Sequence, residues 1–145
     1  AVSDPDLLNH MAARFGRQCT VLALDAARRD GGWEVVVRSG RDRTGTDAVQ
    51  WAAEAVDRGA GEILLTSWDR DGTGSGYDLE LMKAVCGAVA VPVIASGGAE
   101  SAEHMAQALL AGADAVLAAS ILHDGHTTVS AIKRRLAALG MEVRL

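Results

Sequence analysis

The chain has 145 residues, a length that predicts one domain with a core of moderate size. Its formal net charge is −5, and it has no basic run interleaved with aromatic residues, so nucleic acid is not expected as a partner. No apolar run approaches the roughly 20 residues of a membrane span, which argues against a membrane protein.

The first part of the chain predicts one helix and one strand. Residues 3–5 (Ser-Asp-Pro) are typical of a helix start, and apolar residues follow at helical spacing as far as Phe15. Gly16 is expected to end that helix. Residues 20–24 form a short apolar run that predicts a buried strand, with Asp25 at its C-terminal end.

A second apolar run, residues 33–37, follows an Asp-Gly-Gly turn and predicts an extra strand in a hairpin. Residues 39–45 are polar and glycine-containing, so we expect a mobile loop there. Thr46 or Asp47 is then expected to cap a helix that ends at about Arg58.

The middle of the chain carries the clearest signal. Residues 62–66 predict a buried parallel strand, and residues 67–77 are a polar loop with three glycines. Asp78 is expected to cap a helix that runs to about Val89. In α/β folds such a loop lies at the C-terminal end of its strand, where ligands bind.

The second half repeats this order. The expected elements are a strand at residues 92–95, a loop at 96–98, a helix from Ser101 to near Gly112, a strand at 115–119 and a last helix from Thr128 to Gly140. The pair Gly59-Ala60 before one strand also recurs 53 residues later as Gly112-Ala113 before another.

Four consecutive strand–helix units imply parallel strands with right-handed crossovers. We therefore predict an α/β fold with a single domain over residues 1–145. It would be a (βα)4 unit, half of a (βα)8 TIM barrel, with a leading helix and an extra hairpin. Because four such strands do not close, the edges of the first and fourth strands would stay open.

Asp25 is the first candidate for chemistry. A carboxylate at the end of a rigid strand can act as general acid or base. It could equally cap a backbone group or pair with Arg28 or Arg29, and the residues alone leave these interpretations open.

The loop after the second strand is the next candidate. Glycine at Gly72 lets backbone N–H groups approach an anion, Thr73 can donate a hydroxyl, and Asp71 adds a carboxylate. The loop also matches part of a calcium-loop pattern, but a strand precedes it where that pattern needs a helix. A loop that only turns the chain is the remaining alternative.

Two further loops predict one phosphate site near the last helices. They contain Ser96, Gly97 and Gly98 after the third strand, and Ala119 and Ser120 after the fourth. In barrels, the loops after strands seven and eight often bind phosphate. A glycine pair that eases a strand–helix turn is the alternative.

Other distinctive residues predict structural roles. Cys19 and Cys86 are too few for a disulfide framework and are expected to be buried, reduced thiols of a cytoplasmic protein. The segment 123–126 (His-Asp-Gly-His) is a weak metal signal and is interpreted as solvated loop. The three tryptophans are expected to be packing groups. The start at Ala1, without a methionine, indicates a processed or excised piece.

Four segments together resemble a known family. Residues 66–73 (TSWDRDGT), 75–78 (SGYD), 94–99 (IASGGA) and 142–145 (EVRL) are similar to the cyclase subunit of imidazole glycerol phosphate synthase. The resemblance covers the whole chain but only the second half of that family's barrel.

The resemblance implies roles for individual residues. Asp25 matches one of two catalytic aspartates, whose partner lies in the missing half, and Asp71 matches an aspartate that supports the chemistry. Glu62, at the opposite end of its strand, matches one member of a charged ring that gates ammonia. The remaining implied positions, which contact phosphate or substrate, are Ser39, Gly40, Thr66, Gly72, Thr73, Ser96, Gly97, Gly98, Ala119 and Ser120.

The resemblance also implies a reaction of the lyase type. Ammonia from a glutaminase subunit would attack a bis-phosphorylated ribulosyl formimino aminoimidazole carboxamide ribonucleotide, which then cyclises and is cleaved. No metal or redox cofactor is implied. The chain would need a complementary N-terminal half-barrel or a second copy of itself, and alone it is expected to be nearly inactive.

Two alternatives remain open. The related isomerase that acts on the preceding substrate of the same pathway shares the half-barrel repeat, the aspartate and the Ser-Gly-Gly loop. Glu62, Tyr77-Asp78 and the Val-Arg-Leu ending favour the cyclase. A non-catalytic half-barrel that binds phosphate and self-associates is the second alternative, from a different functional class.

Overall fold

The frame of the molecule is a six-stranded sheet in the order β3-β2-β1-β4-β5-β6, seen in a computed structural model that describes residues 1–145. The strands are β1 Val21–Arg29, β2 Gly32–Val37, β3 Asp42–Asp47, β4 Glu62–Ser67, β5 Val93–Ser96 and β6 Ala115–Val116. The helices are α1 Asp6–Phe15, α2 Ala48–Asp57, α3 Leu79–Cys86, α4 Ala102–Leu110, α5 Ser120–His123 and α6 Val129–Ala138, and a 3₁₀ turn spans Arg17–Cys19.

Four of the strands are parallel neighbours. β1 pairs with β4, β4 with β5 and β5 with β6, all in parallel, and a helix follows each of them along the chain. The predicted α/β fold with a parallel sheet is thus confirmed. β2 and β3 form the antiparallel hairpin between β1 and α2, and β2 pairs back onto β1.

The sheet has one face packed against helices and one open face. Along β4, Ile63, Leu65 and Ser67 are buried, while Glu62, Leu64 and Thr66 are partly exposed. This alternation follows from the two-residue period of a strand. Ile63 and Leu65 join helix side chains in one core of 26 residues, rich in alanine and leucine.

The Gly59-Ala60 repeat marks two helix ends of identical construction. Gly59 and Gly112 have φ angles of 118° and 112°. At the end of α2, the N–H of Ala60 donates to the carbonyl of Ala55, five residues back, and Gly59 N–H donates to Val56. The equivalent two bonds occur 53 residues later, after α4. Both ends are Schellman motifs, which need a residue with positive φ and therefore favour glycine.

The helix starts follow the predicted capping residues. The side chains of Asp47, Asp78, Ser101 and Thr128 accept hydrogen bonds from backbone N–H groups in the first turns of α2, α3, α4 and α6. The leading helix α1 is also confirmed, although no side chain caps it.

Several predicted boundaries were wrong. β1 continues four residues beyond Asp25 to Arg29, because this extension pairs with β2. Residues 42–45, expected in a loop, belong to β3. The fourth parallel strand has only two residues, and α3 ends at Cys86 instead of near Val89.

Two expectations about exposure also need correction. Cys19 is exposed in the 3₁₀ turn and not buried at a strand start, whereas Cys86 is half-buried. The edge of β1 is only partly open, because β2 covers Asp25 to Arg29. The segment from Val21 to Leu24 pairs with β4 on one side and with no strand on the other. No helix of the protein combines the length and the apolar character that crossing a membrane requires.

Candidate functional site

One row of side chains crosses the open face at the C-terminal ends of the parallel strands. In the strand register Asp25 lies opposite Thr66, and Thr66 lies opposite Ser96. These three residues have the same orientation on three adjacent strands. The sequence predicted each of them separately, and the sheet brings them together.

The Asp25 carboxyl has no cationic partner. Arg28 pairs with Glu80 and Asp78, and Arg29 pairs with Asp47, so the alternative in which Asp25 pairs with either arginine was wrong. Burial, and next the negative charge of Asp71, raise the pKa of Asp25 above its ordinary value of 3.8, while a hydrogen bond with Thr66 acts in the opposite direction. The carboxyl therefore retains its proton more readily than an exposed aspartate does.

Asp25 borders a cleft of about 580 Å³ that lies along the unpaired edge of β1. Most of its lining is apolar and comes from β1, β2, the first residues of the chain and Trp51, and Arg38, Asp42 and Thr44 of the hairpin add polar groups. Ser39 and Gly40 were predicted to contact substrate, but they lie in the hairpin turn beside the cleft and do not line it. Gly40 instead packs directly against the indole of Trp68.

A second, smaller crevice unites the other predicted groups. It has a volume of about 160 Å³, and its lining includes Asp71, Gly72, Ser96, Gly97, Gly98, Ala119 and Ser120. The loops after β4, β5 and β6 thus meet at one place. Thr73 is the exception, because its hydroxyl donates to the carbonyl of Arg70 within the loop.

Backbone geometry makes this crevice suitable for an anion. Gly97 and Gly98 have φ angles of 91° and 92°, which side chains with a Cβ rarely adopt. Their N–H groups donate to no protein acceptor. An added Cβ at Gly98 would overlap the carbonyl oxygen of Gly76, so glycine is also required by close packing.

Tyr77 supports one wall of the crevice, a role that the sequence analysis did not assign to it. It is 4% exposed, and its hydroxyl donates to the carbonyl of Leu117, 2.8 Å away, in the segment that lines the crevice. Burial raises its pKa to about 12, so the phenol keeps its proton. The signal that could have found it is the lone tyrosine of the chain, placed in a glycine loop.

The remaining candidates lie away from this site. Glu62 is partly exposed at the start of β4, at the opposite end of the strand from Thr66. His123 ends α5, and both His123 and His126 are exposed. Trp51 is buried in the core as predicted, whereas Trp68 is partly exposed against Gly40.

A family model described as "Histidine biosynthesis protein" matches residues 1–128, which is most of the chain. The chain belongs to this family. The site described above therefore lies in the matched region of a histidine biosynthesis protein.

Individual relatives agree with the family match. The chain is 54% identical to imidazole glycerol phosphate synthase subunit HisF of Synechococcus sp. over 152 aligned positions, covering 99% of this chain and 59% of that relative. It is 55% identical to the protein of the same name from Mycobacterium tuberculosis, covering 99% of this chain and 57% of that relative. The predicted resemblance to the cyclase subunit is thus confirmed. The chain spans somewhat more than half the length of the curated relatives it matches.

Proposed function

We propose that this chain forms the C-terminal half of an imidazole glycerol phosphate synthase cyclase barrel. The observation that carries the proposal is the row Asp25–Thr66–Ser96, which ends beside the glycine crevice. A proton-transferring carboxyl and an anion-binding crevice thereby share one rim of one sheet, as a phosphorylated substrate requires.

In this proposal the crevice holds one phosphate of the bis-phosphorylated ribonucleotide. The N–H groups of Gly97 and Gly98 donate to its oxygens, and the 119–120 segment closes the opposite side. Asp25 exchanges a proton with the substrate as ammonia adds and the ring closes, since its raised pKa makes the carboxyl a better proton acceptor than an exposed aspartate. Asp71 adds to the effect of burial in raising the pKa of Asp25, and it borders the phosphate.

The proposal also assigns partners. The open face and the free edge of β1 would be completed by an N-terminal half-barrel or by a second copy of this chain. Glu62, at the far rim, would belong to an ammonia gate that faces a glutaminase subunit. Two free cysteines and no disulfide agree with a cytoplasmic location.

Complementation tests the proposal. The chain alone should show negligible turnover of the ribonucleotide with ammonium salt, and adding the N-terminal half should restore it. In that mixture Asp25→Asn should lower kcat by about 10²–10⁴-fold with little change in KM, because asparagine keeps the shape and loses the proton chemistry.

Asp42→Asn is the matched control, because Asp42 lines the same cleft but belongs to the hairpin. It should leave kcat nearly unchanged. Full activity in Asp25→Asn would assign the acid–base role to another residue, with Asp71 the next to test. Turnover of the isomerase substrate by the mixture, without cyclisation, would replace the proposal with the isomerase alternative.

A further inference from the structure

The loop of residues 68–78, which carries Asp71, is hydrogen-bonded near both ends to residues of β1 and β2. Near its start, the N–H of Arg28 donates to Asp69 Oδ2 at 2.6 Å. At its end, Trp33 Nε1 donates to Asp78 Oδ2 at 3.0 Å. These contacts join residues more than 40 positions apart in the chain.

The contact at Asp78 is the more demanding one. Asp78 is 7% exposed, and its other oxygen, Oδ1, accepts from Leu81 N–H as the cap of α3. Both carboxylate oxygens are therefore in use. Loss of the Trp33 donor would leave a buried charged oxygen without that partner, which is costly.

Two further contacts fix the donors themselves. The guanidinium of Arg28 lies over the ring of Trp33, 4.8 Å from its centroid, and donates to Glu80 Oε2 at 2.6 Å in the first turn of α3. At the far end of the hairpin, the Trp68 indole rests on Gly40. Arg28 of β1 and the hairpin together thus contact the loop at its beginning, at its end and just beyond it.

Hydrogen bonds inside the loop cannot substitute for these contacts with β1 and the hairpin. Thr73 bonds to Arg70 and Ser75, which are neighbours in the same loop, so these bonds move with it. Outside the hairpin, Gly76 N–H donates to Gly98 O on the β5 side. The base of the loop is tied to the strands, because Trp68 N–H donates to Ala26 O and Asp71 N–H donates to Ser67 O. The rest of the loop is held between the hairpin and the glycine crevice.

We propose that Trp33 and Arg28 are positioning residues, which hold the 68–78 loop so that Asp71 stays beside Asp25. This rests on the proposed function only in taking Asp25 and Asp71 as parts of one site. The hairpin then does more than cover the edge of β1. By holding the loop, it keeps the negative charge of Asp71 near the Asp25 carboxyl.

The test is a double-mutant cycle on the pKa of Asp25, measured by NMR of its carboxyl carbon in the 145-residue chain. The charged groups near Asp25 are Asp71 on the loop and, across its cleft, Arg38 and Asp42 on the hairpin. Asp71→Asn should lower the pKa of Asp25, because the neighbouring negative charge is lost. Trp33→Phe should lower it too, because the released loop carries Asp71 away.

The combination decides the question. In the Asp71→Asn background, Trp33→Phe should produce no further shift, since the charge it displaces is already absent. An equal shift in both backgrounds, or no shift from Trp33→Phe alone, would overturn the positioning role while the proposed site stands. No shift from Asp71→Asn would overturn both, because the two carboxyls would then not share a site.

Limited proteolysis separates release of the loop from general loosening. Trp33→Phe should raise trypsin cleavage after Arg70 by about tenfold, the effect of losing one hydrogen bond to a charged group. Cleavage after Arg134 in α6 should stay unchanged. Arg29→Gln, which removes an ion pair with Asp47 of β3 and leaves the contacts of Trp33 and Arg28 intact, is the matched control and should change neither the cleavage rate at Arg70 nor the pKa of Asp25.

Discussion

The two faces of the parallel sheet differ in solvent exposure. On the helix-covered face, Leu24, Ile63 and Leu65 are almost completely buried. On the other face, Val21 is 48% exposed, and Leu64 and Ile94 remain partly exposed. Along the same strands, side chains of similar size and hydrophobicity thus alternate between the buried core and the exposed face.

The face that stabilises the folded chain is therefore different from the face that is available for assembly. The covered face supplies the hydrophobic free energy that folds the domain, since burial of apolar area is its main source. The open face bears Asp25, Thr66 and Ser96, and its exposed apolar side chains could be buried only by a partner. The residues that stabilise the fold and the proposed site residues therefore lie on opposite faces of the same strands.

A matched pair of truncations gives the largest expected effect. Ile63→Ala should lower the free energy of unfolding by about 3 kcal/mol, because it opens a cavity in the buried core. Leu64→Ala, one residue along the same strand, should cost less than about 1 kcal/mol in the monomer, at concentrations too low for self-association, because Leu64 faces the open side. Urea unfolding measures both. Equal losses would mean that the open face is already covered.

A charge on the open face should prevent assembly. We expect the chain to form homodimers or larger species, and Leu64→Lys should weaken this association by about 100-fold, because an unpaired charge would be buried at the contact. Leu110→Lys, on the outer surface of α4 where Leu110 is 75% exposed, is the control. Light scattering reports the mass. A monomeric native chain at micromolar concentration would contradict the prediction.

The glycine crevice can be tested without disturbing its backbone. An added Cβ at Gly72 meets no atom within 4 Å, whereas one at Gly98 would overlap Gly76. With phosphate at ten times its Kd, binding should stabilise the native chain by about 1.4 kcal/mol. Gly72→Asp should abolish that protection by charge repulsion, and Gly72→Asn, which also tolerates positive φ, should keep it. Thermal melts with and without phosphate measure this. Protection that survives in Gly72→Asp would locate the anion elsewhere.

The smallest expected effect is a gain in stability. Because burial raises the pKa of Asp25 above 3.8, its ionised form destabilises the folded state, and this cost appears as the pH rises through the raised pKa. Asp25→Asn should therefore raise Tm by roughly 2–4 °C at pH 7, an amount typical of a relieved functional strain. The gain should vanish below pH 3.8, where both states are protonated. A gain in Tm that does not depend on pH would mean that Asp25→Asn stabilises the chain through packing and not through loss of the charge.

The sequence predicted best what short-range chemistry decides. The four capping residues at Asp47, Asp78, Ser101 and Thr128 act through N–H groups two or three residues away, so the local pattern contains the whole interaction. The glycines of the crevice were recognisable for the same reason, since their positive φ is a property of single residues.

Features that depend on distant partners were missed. Residues 42–47 are polar and lack the alternation of a strand, yet they form β3 because β2 supplies the hydrogen bonds and Glu34 the partner for Arg43. The bond between Trp33 and Asp78 joins residues 45 positions apart, and no local pattern predicts it. The hairpin's contact with the site loop belongs to this second class.

The two free edges of the four parallel strands differ in kind. One is the segment from Val21 to Leu24, and the other is the two-residue strand Ala115–Val116. A contact that joins one edge to the other is heterologous, with a different surface on each copy. Such contacts end in a ring only when the rotation between copies divides a full turn, and half a turn closes two copies. With any other rotation the contact repeats without end, and the product is a helical filament instead of a finite particle.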